Sequence, residues 1–441
     1  MLTILANRSY RHLFLAQVIA LVGTGLATVA LGLLAYDLAG ADAGAVLGTA
    51  LAIKMVAYVG VAPVAGAFAS LWPRRTMLVA LDLVRASVAV ALPFVTEVWQ
   101  VYGLIFVLQA ASAAFTPTFQ ATIPDVLPDE GEYTRALSLS RLAYDLESVV
   151  SPMLAAALLT VVSFHALFAG TVVGFLISVA LVVSVILPSP RADAAAQGGI
   201  YDRMTRGIRL YLATPRLRGL LALNLAIAAA SSMVIVNTVV LVQARYGLDQ
   251  TATAVALVAF GGGSMIAALA LPRLLDTLPD RRAMLGGATV LVIGLAAGTL
   301  LPGYGWLLPL WLALGLGYSL AQTPTGRLLK RSAHPADRPA LFAAQFALSH
   351  ACWLLTYPLA GWLGATAGLD TAFGVLAALA AAAVGLAALL WPVDDPAELP
   401  HTHDNLPPGH PHLAGAEHTG TGHRHSHALV IDGEHPVWPE R

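Results

Sequence analysis

The sequence predicts an all-α membrane protein with twelve transmembrane helices in two six-helix repeats. Of its 441 residues, 58% are hydrophobic and only 11% are charged, whereas soluble domains carry roughly a quarter charged residues. The apolar residues fall into runs long enough to cross a hydrocarbon core, which needs about 20 helical residues. Short words also recur at one fixed offset in the two halves of the chain. These three observations define the predicted fold class.

Twelve runs, bounded by charged residues or by Pro and Gly, meet this length requirement. We expect the spans near residues 12–36, 45–71, 76–95, 99–122, 138–162, 165–188, 216–243, 249–271, 283–301, 304–326, 339–365 and 368–391. Gly and Ala are abundant within the runs, which suits helices that pack closely inside a bilayer. Further spans follow the first run, so we expect a retained helix rather than a cleaved signal.

Basic residues indicate the orientation of these spans. Lys and Arg precede the first span and cluster after the second, sixth, eighth and tenth. The positive-inside rule therefore predicts that the even-numbered joints and both termini lie in the cytoplasm. We divide the chain into an N-terminal bundle (1–188), a cytoplasmic linker with an amphipathic helix (189–215), a C-terminal bundle (216–392) and a disordered cytoplasmic tail (393–441).

A sequence repeat joins the two bundles. The segment Pro73–Leu78 reads PRRTML and Asp280–Leu285 reads DRRAML, while Thr116–Thr118 and Thr323–Thr325 both read TPT. The offsets agree, since 281 − 74 = 207 and 323 − 116 = 207. Two matches at one offset indicate duplicated halves, an arrangement that places a substrate path between them.

The chain resembles the major facilitator superfamily over about residues 5–392. Gly66–Ala86 stands where that family has its loop between the second and third helices, although Ser70 or a neighbour occupies the place of the usual Asp. Asn7–Leu26 and Pro117–Leu158 are similar to the bacterial exporter branch, which includes macrolide, siderophore and metal-ion exporters. The resemblance implies a transporter that works by alternating access.

Charged residues near the loops are candidates for a gate. The candidates are Arg74, Arg75, Asp82, Arg85, Arg281 and Arg282. For the four paired arginines, the alternative is a role in topology and lipid contact alone. Asp82 and Arg85 are three residues apart on one helix, so we favour a structural ion pair for them.

Ionisable or polar residues at membrane depth are the candidates for the transport path, because their burial is costly unless they pair or function. They are Lys54, Asp145, Glu147, Asn224, Asn237 and His350. Arg141 can pair with Asp145, whereas Glu147 points about 200° around the helix. One of these carboxylates could exchange a proton for a cation, or bridge to another helix. Lys54 could pair with either carboxylate, and His350 could be a metal ligand or a hydrogen-bonded core residue.

The tail concentrates nine of the 13 histidines of the chain. They are His401, His403, His410, His412, His418, His423, His425, His427 and His435. Imidazoles in His-x-His spacing can chelate a borderline metal ion, and Asp404, Glu417, Asp432 and Glu434 could add oxygen ligands. The tail lacks thiolates, which argues against copper(I). A pH-sensing tail and a tail without a specific role remain the alternatives.

The tail is similar to that of nickel-resistance exporters of the major facilitator type, on the His-x-His clusters and the closing HSHALVIDGEHPVWP. The resemblance implies efflux of Ni²⁺, and also of Co²⁺, across the bacterial inner membrane. From the carboxylates at membrane depth we expect this export to work as proton antiport. The rival hypotheses are an exporter of a drug or siderophore-like molecule with a metal-sensing tail, and a non-transporting receptor or metal-binding scaffold. We expect a monomer in the lipid bilayer, with protons and transition-metal ions as partners. The net charge of −1 and the lack of catalytic motifs predict no nucleic-acid partner, no cofactor and no enzymatic activity.

Overall fold

The computed structural model describes most of the chain. The described residues are 2–39, 43–69, 72–188, 199–395, 398–403, 410–413, 416–419, 422–427, 429–432, 434–435 and 438.

Two groups of helices correspond to the two predicted bundles. The N-terminal half contains α1 (Arg8–Ala39), α2 (Ala43–Ala69), α3 (Arg74–Ala91), α4 (Val98–Val126), α5 (Glu130–Leu159) and α6 (Phe164–Val183), with 3₁₀ turns at Leu2–Ala6 and Leu92–Phe94. The linker forms α7 (Ile200–Ala213). The C-terminal half contains α8 (Pro215–Val239), α9 (Gln250–Leu275), α10 (Asp280–Gly298), α11 (Tyr304–Gln322), α12 (Thr325–Arg331), α13 (Arg338–Thr366) and α14 (Leu369–Leu390). A π-helix at Val240–Arg245 extends α8.

Ten helical segments of the described chain are long and apolar enough to cross a membrane. The other two predicted spans are α2, which offers a shorter apolar stretch at 52–67, and α5, which carries ionisable residues along its length. The twelve-span membrane fold predicted from the sequence is thus confirmed, although α12 continues the tenth span as a separate short helix.

Helix α5 shows why one boundary was predicted wrongly. It begins at Glu130 rather than near residue 138. The Asp129 carboxylate caps the helix by accepting a hydrogen bond from the Glu132 backbone N–H at 2.8 Å, and the acidic first turn suits the positive end of the helix dipole. The prediction followed the apolar run and missed these polar turns.

The two halves meet where α2 faces α13 and α5 faces α9. A small apolar cluster at this interface contains Ala62, Ala113, Phe346 and Ala347. Gly66 permits the close approach of α2 to α13, because a Cβ there would lie 2.6 Å from the Ala343 Cβ. The two halves are therefore in direct contact along α2 and α13.

The predicted amphipathic helix of the linker is α7, which lies against α2 and α13. Arg206 donates to the Asp337 carboxylate at 2.6 Å, and the buried Tyr211 hydroxyl donates to Gln345 Oε1 at 2.6 Å. Residues 189–198 of the predicted linker lie outside the described residues. We call the end of the bundle that carries α7 the linker side.

The tail differs from the predicted disorder in its described parts. It contains an antiparallel sheet of β1 (Leu399–His403), β2 (Glu417–Thr419) and β3 (Gly422–His427) in the order β1-β3-β2. The composition indicated disorder because few apolar residues are available for a core. It did not account for strand alternation, which puts both imidazoles of a His-x-His pair on one face.

Candidate functional site

Six of the nine tail histidines converge on one point. Five of them, His401, His412, His425, His427 and His435, bring ligand nitrogens within 4.8 Å of one another. His403 joins this group through Nε2 contacts of 3.1 Å to His401 and to His412, and we call the six residues the tail cage. Neighbouring Nε2 atoms in the tail cage lie 3.0–3.3 Å apart. The two strands β1 and β3 supply four of these imidazoles, with His401 directly opposite His425 in the ladder.

The ring positions follow the corners of an octahedron. Adjacent imidazole centroids lie 4.6–5.2 Å apart, whereas the His401 and His412 centroids are 6.4 Å apart, on opposite sides of the cage. By the same pattern, the remaining opposite pairs are His403 with His427 and His425 with His435. A metal–imidazole bond of about 2.1 Å would place adjacent octahedral ligands about 3.0 Å apart, which matches the observed Nε2 spacing.

Oxygen atoms behind the rings orient three of these imidazoles. The His401 Nδ1–H group donates to the Leu399 carbonyl at 2.9 Å. The His412 Nδ1–H group donates to the Glu434 carboxylate at 2.7 Å, and the His435 Nδ1–H group donates to the Asp432 carboxylate at 2.9 Å. In the neutral ring this bond fixes the tautomer and leaves the Nε2 lone pair facing inward. Asp432 and Glu434, which the sequence analysis considered as further metal ligands, accept hydrogen bonds from two of these imidazoles in this structure.

The surroundings favour the neutral, metal-binding form of the imidazoles. Burial, together with the neighbouring imidazoles, lowers the pKa of His425 to about 4. Burial is also the main cause that lowers the pKa values of His401, His403 and His412. Neutral Nε2 lone pairs that face each other at 3 Å repel one another, and a central cation would turn this repulsion into coordination. The arrangement can therefore hold one six-coordinate cation.

The other three tail histidines lie outside the tail cage. His418 and His423 form a separate cross-strand pair with centroids 4.9 Å apart. His410 lies at the edge, with Nε2 3.9 Å from a Glu434 oxygen. Asp404 lies outside the described residues, and Glu417 pairs in register with Arg424 on β3.

Within the bundle, His350 lies in an aromatic box between the two halves. Its ring centroid is 4.8 Å from that of Tyr58 on α2, 4.1 Å from Phe346 and 5.2 Å from Trp353. The Nδ1–H group donates to the Phe346 carbonyl at 2.7 Å, which leaves the Nε2 lone pair to accept from, or coordinate, a substrate. Among the described residues of the bundle, no group of three or more His, Cys, Asp or Glu ligand atoms comes together.

The two carboxylates of α5 have different surroundings, as their spacing predicted. Asp145 is buried and pairs with Arg141, whose Nε lies 3.0 Å from Oδ1; the guanidinium also reaches the Tyr318 hydroxyl of the other half at 3.3 Å. Glu147 is half-buried against α1, where a Cβ at Gly25 would lie 2.6 Å from its Oε1.

Lys54 does not form the ion pair considered from the sequence. Its Nζ lies 5.5 Å from the Tyr58 ring centroid, and its charge acts on Glu147 from beyond ion-pair distance. Lys54 and His350 therefore both contact Tyr58, on either side of the interface between the halves. Sequence reasoning did not identify Tyr58, because a single aromatic residue in an apolar run carries no signal.

The two asparagines bridge helices of the C-terminal half. Asn224 is buried and donates to Gln345 on α13 at 3.4 Å. Asn237 is also buried and donates to the Ala360 carbonyl at 3.1 Å. These contacts favour a structural role over the predicted place on the transport path.

An ion cluster closes the linker side between the two halves. Asp125, at the end of α4, pairs with Arg74 of its own half and with Arg338 at the start of α13. Glu130 and Arg327 form a second pair across the halves at 2.8 Å. We call these five residues the linker-side gate. In the family that the chain resembles, an Asp in the loop before Arg74 is usual, and the sequence lacks it there. The structure shows that Asp125, at the end of α4, supplies a carboxylate to Arg74 instead.

The remaining gating candidates lie elsewhere. Arg281 donates to the Trp391 and Ala388 carbonyls at 3.0 Å and so caps α14, whereas Arg282 is exposed and Arg75 is half-buried. The two repeated sequence segments therefore make different contacts, since Arg74 pairs with a carboxylate and Arg281 with backbone carbonyls.

Asp82 and Arg85 form the ion pair that their spacing predicts. Asp82 accepts from Ser178 on α6 at 2.7 Å. The Arg85 guanidinium lies over the Phe115 and Phe175 rings. All these partners belong to the N-terminal half, so the pair does not bridge the gate.

Comparison with known sequences identifies relatives. The model of the Major Facilitator Superfamily matches residues 13–223 and again 220–417, and the two matches begin 220 − 13 = 207 residues apart, the offset of the repeat. YvqJ of Bacillus subtilis (strain 168), an uncharacterized MFS-type transporter, is 27% identical over 217 residues, or 46% of this chain and 50% of its own. Macrolide efflux protein A of Streptococcus pyogenes is 27% identical over 152 residues, or 32% of this chain and 37% of its own. The chain thus spans half or less of the length of these curated relatives.

Solved structures share the architecture at low sequence identity. The human organic anion transporter MFSD10 superimposes with a TM-score of 0.75 at 12% identity, covering 86% of this chain and 99% of its own. A bacterial homologue of the iron transporter ferroportin, in an outward-facing state, superimposes with a TM-score of 0.71 at 14% identity, covering 87% and 99%. With its apolar helices, its duplicated halves and the family model that matches both halves, the chain belongs to the Major Facilitator Superfamily and is a multi-pass membrane protein whose relatives include an efflux protein.

Proposed function

We propose that this transporter exports a divalent transition-metal cation, Ni²⁺ first and Co²⁺ second, by proton-coupled alternating access. In this proposal the linker side faces the cytoplasm of a bacterial cell, as the arginine distribution predicts. The tail cage collects the cation there, and the path between the halves carries it outward past His350.

The octahedral arrangement of the tail cage is the observation that carries the proposal. Zn²⁺ in structural sites prefers four tetrahedral ligands, and Cu²⁺ prefers a tetragonal arrangement. Mg²⁺, Ca²⁺ and Mn²⁺ prefer oxygen ligands, which the tail cage does not present to its centre. Ni²⁺, Co²⁺ and Fe²⁺ remain, and Ni²⁺ binds nitrogen ligands most tightly of these three by the Irving–Williams order.

Transport into proteoliposomes tests the proposal. We expect the purified full chain, under an imposed proton gradient, to move Ni²⁺ and Co²⁺ faster than Zn²⁺, with a proton flux of opposite direction that depends on the metal. Protein-free liposomes are the control. The absence of metal flux in protein that binds the metal and exports a dye would contradict the proposal.

An organic substrate is the second candidate, and the aromatic box supports it. Tyr58, Phe346 and Trp353 surround His350 with the flat apolar surfaces that small-molecule sites commonly offer. Under this alternative the tail would sense metal and the path would carry a drug or siderophore-like molecule. Deletion of residues 393–441 separates the two functions, because an organic-molecule exporter would keep full dye efflux without the tail and would never move Ni²⁺.

A further inference from the structure

A chain of contacts runs from the tail cage to the linker-side gate. His435, one of the six cage residues, donates from Nδ1 to Asp432. The other oxygen of Asp432 lies 3.1 Å from Nε2 of His334, in the loop between α12 and α13. One carboxylate thus joins a cage imidazole to an imidazole of the bundle.

The loop that carries His334 leads directly into a gate residue, Arg338 at the start of α13. Asp337 accepts two hydrogen bonds from Arg206 of the linker helix, at 2.6 and 3.0 Å. Arg338 follows and pairs with Asp125 of the opposite half. The segment from His334 to Arg338 is consequently held by the tail, by the linker helix and by the N-terminal half at the same time.

The end of the tail is itself anchored on the C-terminal half. Ile431 is buried and packs with the apolar core of that half. The Trp438 ring lies 4.8 Å from the guanidinium carbon of Arg216, which in turn faces Asp395 at 3.6 Å. Asp432 is therefore fixed between two docked residues, and a displacement of His334 would be transmitted to His435.

We propose that metal occupancy of the tail cage holds the linker-side gate closed through the relay His435–Asp432–His334. This inference rests on the proposed metal binding and assigns to the tail a regulatory role in the transport cycle. A loaded cage fixes His435, and second-shell carboxylates that orient metal-bound imidazoles are strongly held in turn. Asp432 then keeps the loop before α13 in the position that lets Arg338 reach Asp125.

The coupling between the tail cage and the linker-side gate must act equally in both directions. If metal binding favours the closed gate, the closed gate must favour metal binding by the same factor. Opening of the linker side therefore weakens the hold of the tail cage on its cation. The cation is released at the mouth of the path when the path opens to that side.

Fluorescence transfer across the linker side tests the relay. Dyes are attached at Trp72→Cys in the N-terminal half and Arg282→Cys in the C-terminal half, both exposed, in a Cys352→Ser background of the full chain. We expect NiCl₂ to raise the closed-to-open ratio at least fivefold, the lower end of ordinary allosteric coupling. His334→Ala should abolish this shift, and His334→Gln, which keeps a donor for Asp432, should restore part of it.

Calorimetry with NiCl₂ on the same variants separates the possible failures. If the parent protein binds no Ni²⁺, the proposed function fails as well. If it binds Ni²⁺ tightly but the transfer efficiency does not respond, or if His334→Ala responds as strongly as the parent, the relay is overturned and metal binding stands. His334 is an exposed residue outside the cage and the gate, so its replacement should leave folding intact; an unchanged melting temperature checks this.

Discussion

The tail cage and the aromatic box around His350 both present imidazole nitrogen, but they suit different tasks. The tail cage brings six imidazoles within contact of one another and backs three of them with oxygen acceptors. The aromatic box offers one imidazole among Tyr58, Phe346 and Trp353. A site with six ligands holds a cation tightly and releases it slowly, whereas a site with one ligand binds weakly and exchanges fast.

This difference indicates how a transporter can combine capture with turnover. A transport site must bind well enough to load and weakly enough to unload, and under the proposed function the aromatic box would be that weak site. The tail cage would hold the cation tightly, because the tail need not move through the path. The linker-side gate around Asp125 would then decide when the two sites communicate.

The largest expected effect is the loss of a cage ligand. His401→Ala should weaken Ni²⁺ binding to the full chain by about 100-fold or more, since even the loss of a second-shell partner costs about 10–100-fold. Titration calorimetry measures the dissociation constant. His418→Ala, outside the tail cage, is the matched control and should bind normally; equal losses in both variants would mean that the tail chelates without a defined cage.

Acidification should release the metal. Burial lowers the pKa of His425 to about 4, from an ordinary value of 6.5, so the assembled tail disfavours protonation relative to the unassembled tail. Its stabilisation is complete above pH 6.5 and is lost as the pH falls from 6.5 toward 4. We expect the apparent Ni²⁺ affinity to fall at least tenfold per pH unit in that window, as measured by calorimetry at several pH values. A flat profile between pH 6.5 and 5 would contradict the cage.

Neutralisation of the gate should change the conformation without changing the cage ligands. Asp125→Asn leaves Arg74 and Arg338 without their shared carboxylate, and truncation of one partner of a buried pair costs about 3–5 kcal/mol. We expect at least a tenfold increase in the linker-side-open population, read by fluorescence transfer across that side. Arg282→Gln, an exposed change, serves as the control and should leave the population unaltered.

Removal of the tail should have the smallest effect on transport. A chain ending at Pro392 keeps the path but loses local capture, so half-maximal flux should need about 10-fold more Ni²⁺. The maximal rate should not fall, because a loaded tail no longer holds the linker-side gate closed. His350→Phe should show the opposite pattern, with a lower maximal rate and an intact tail cage. Flux measurements over a range of Ni²⁺ concentrations distinguish the two variants.

The fold class and much of the topology follow from the order of the residues. The twelve apolar runs predict membrane helices, because the backbone N–H and C=O groups of each run must form hydrogen bonds within lipid and a helix makes all of these bonds within its own segment. The 207-residue offset between PRRTML and DRRAML revealed the duplication, and the spacing of Asp82 and Arg85 sufficed to predict their pairing. These features depend on local periodicity, which the order of residues records directly.

Tertiary structure alone decided which polar groups meet. Asp125 and Arg338 are 213 residues apart, and His401 and His435 are 34 apart, so no local pattern connects them. The sequence suggested that the tail binds metal, but only the strand register and the docking of Ile431 give six imidazoles one centre. Side chains distant in the sequence are brought together by packing, and their geometry is settled by the folded chain as a whole.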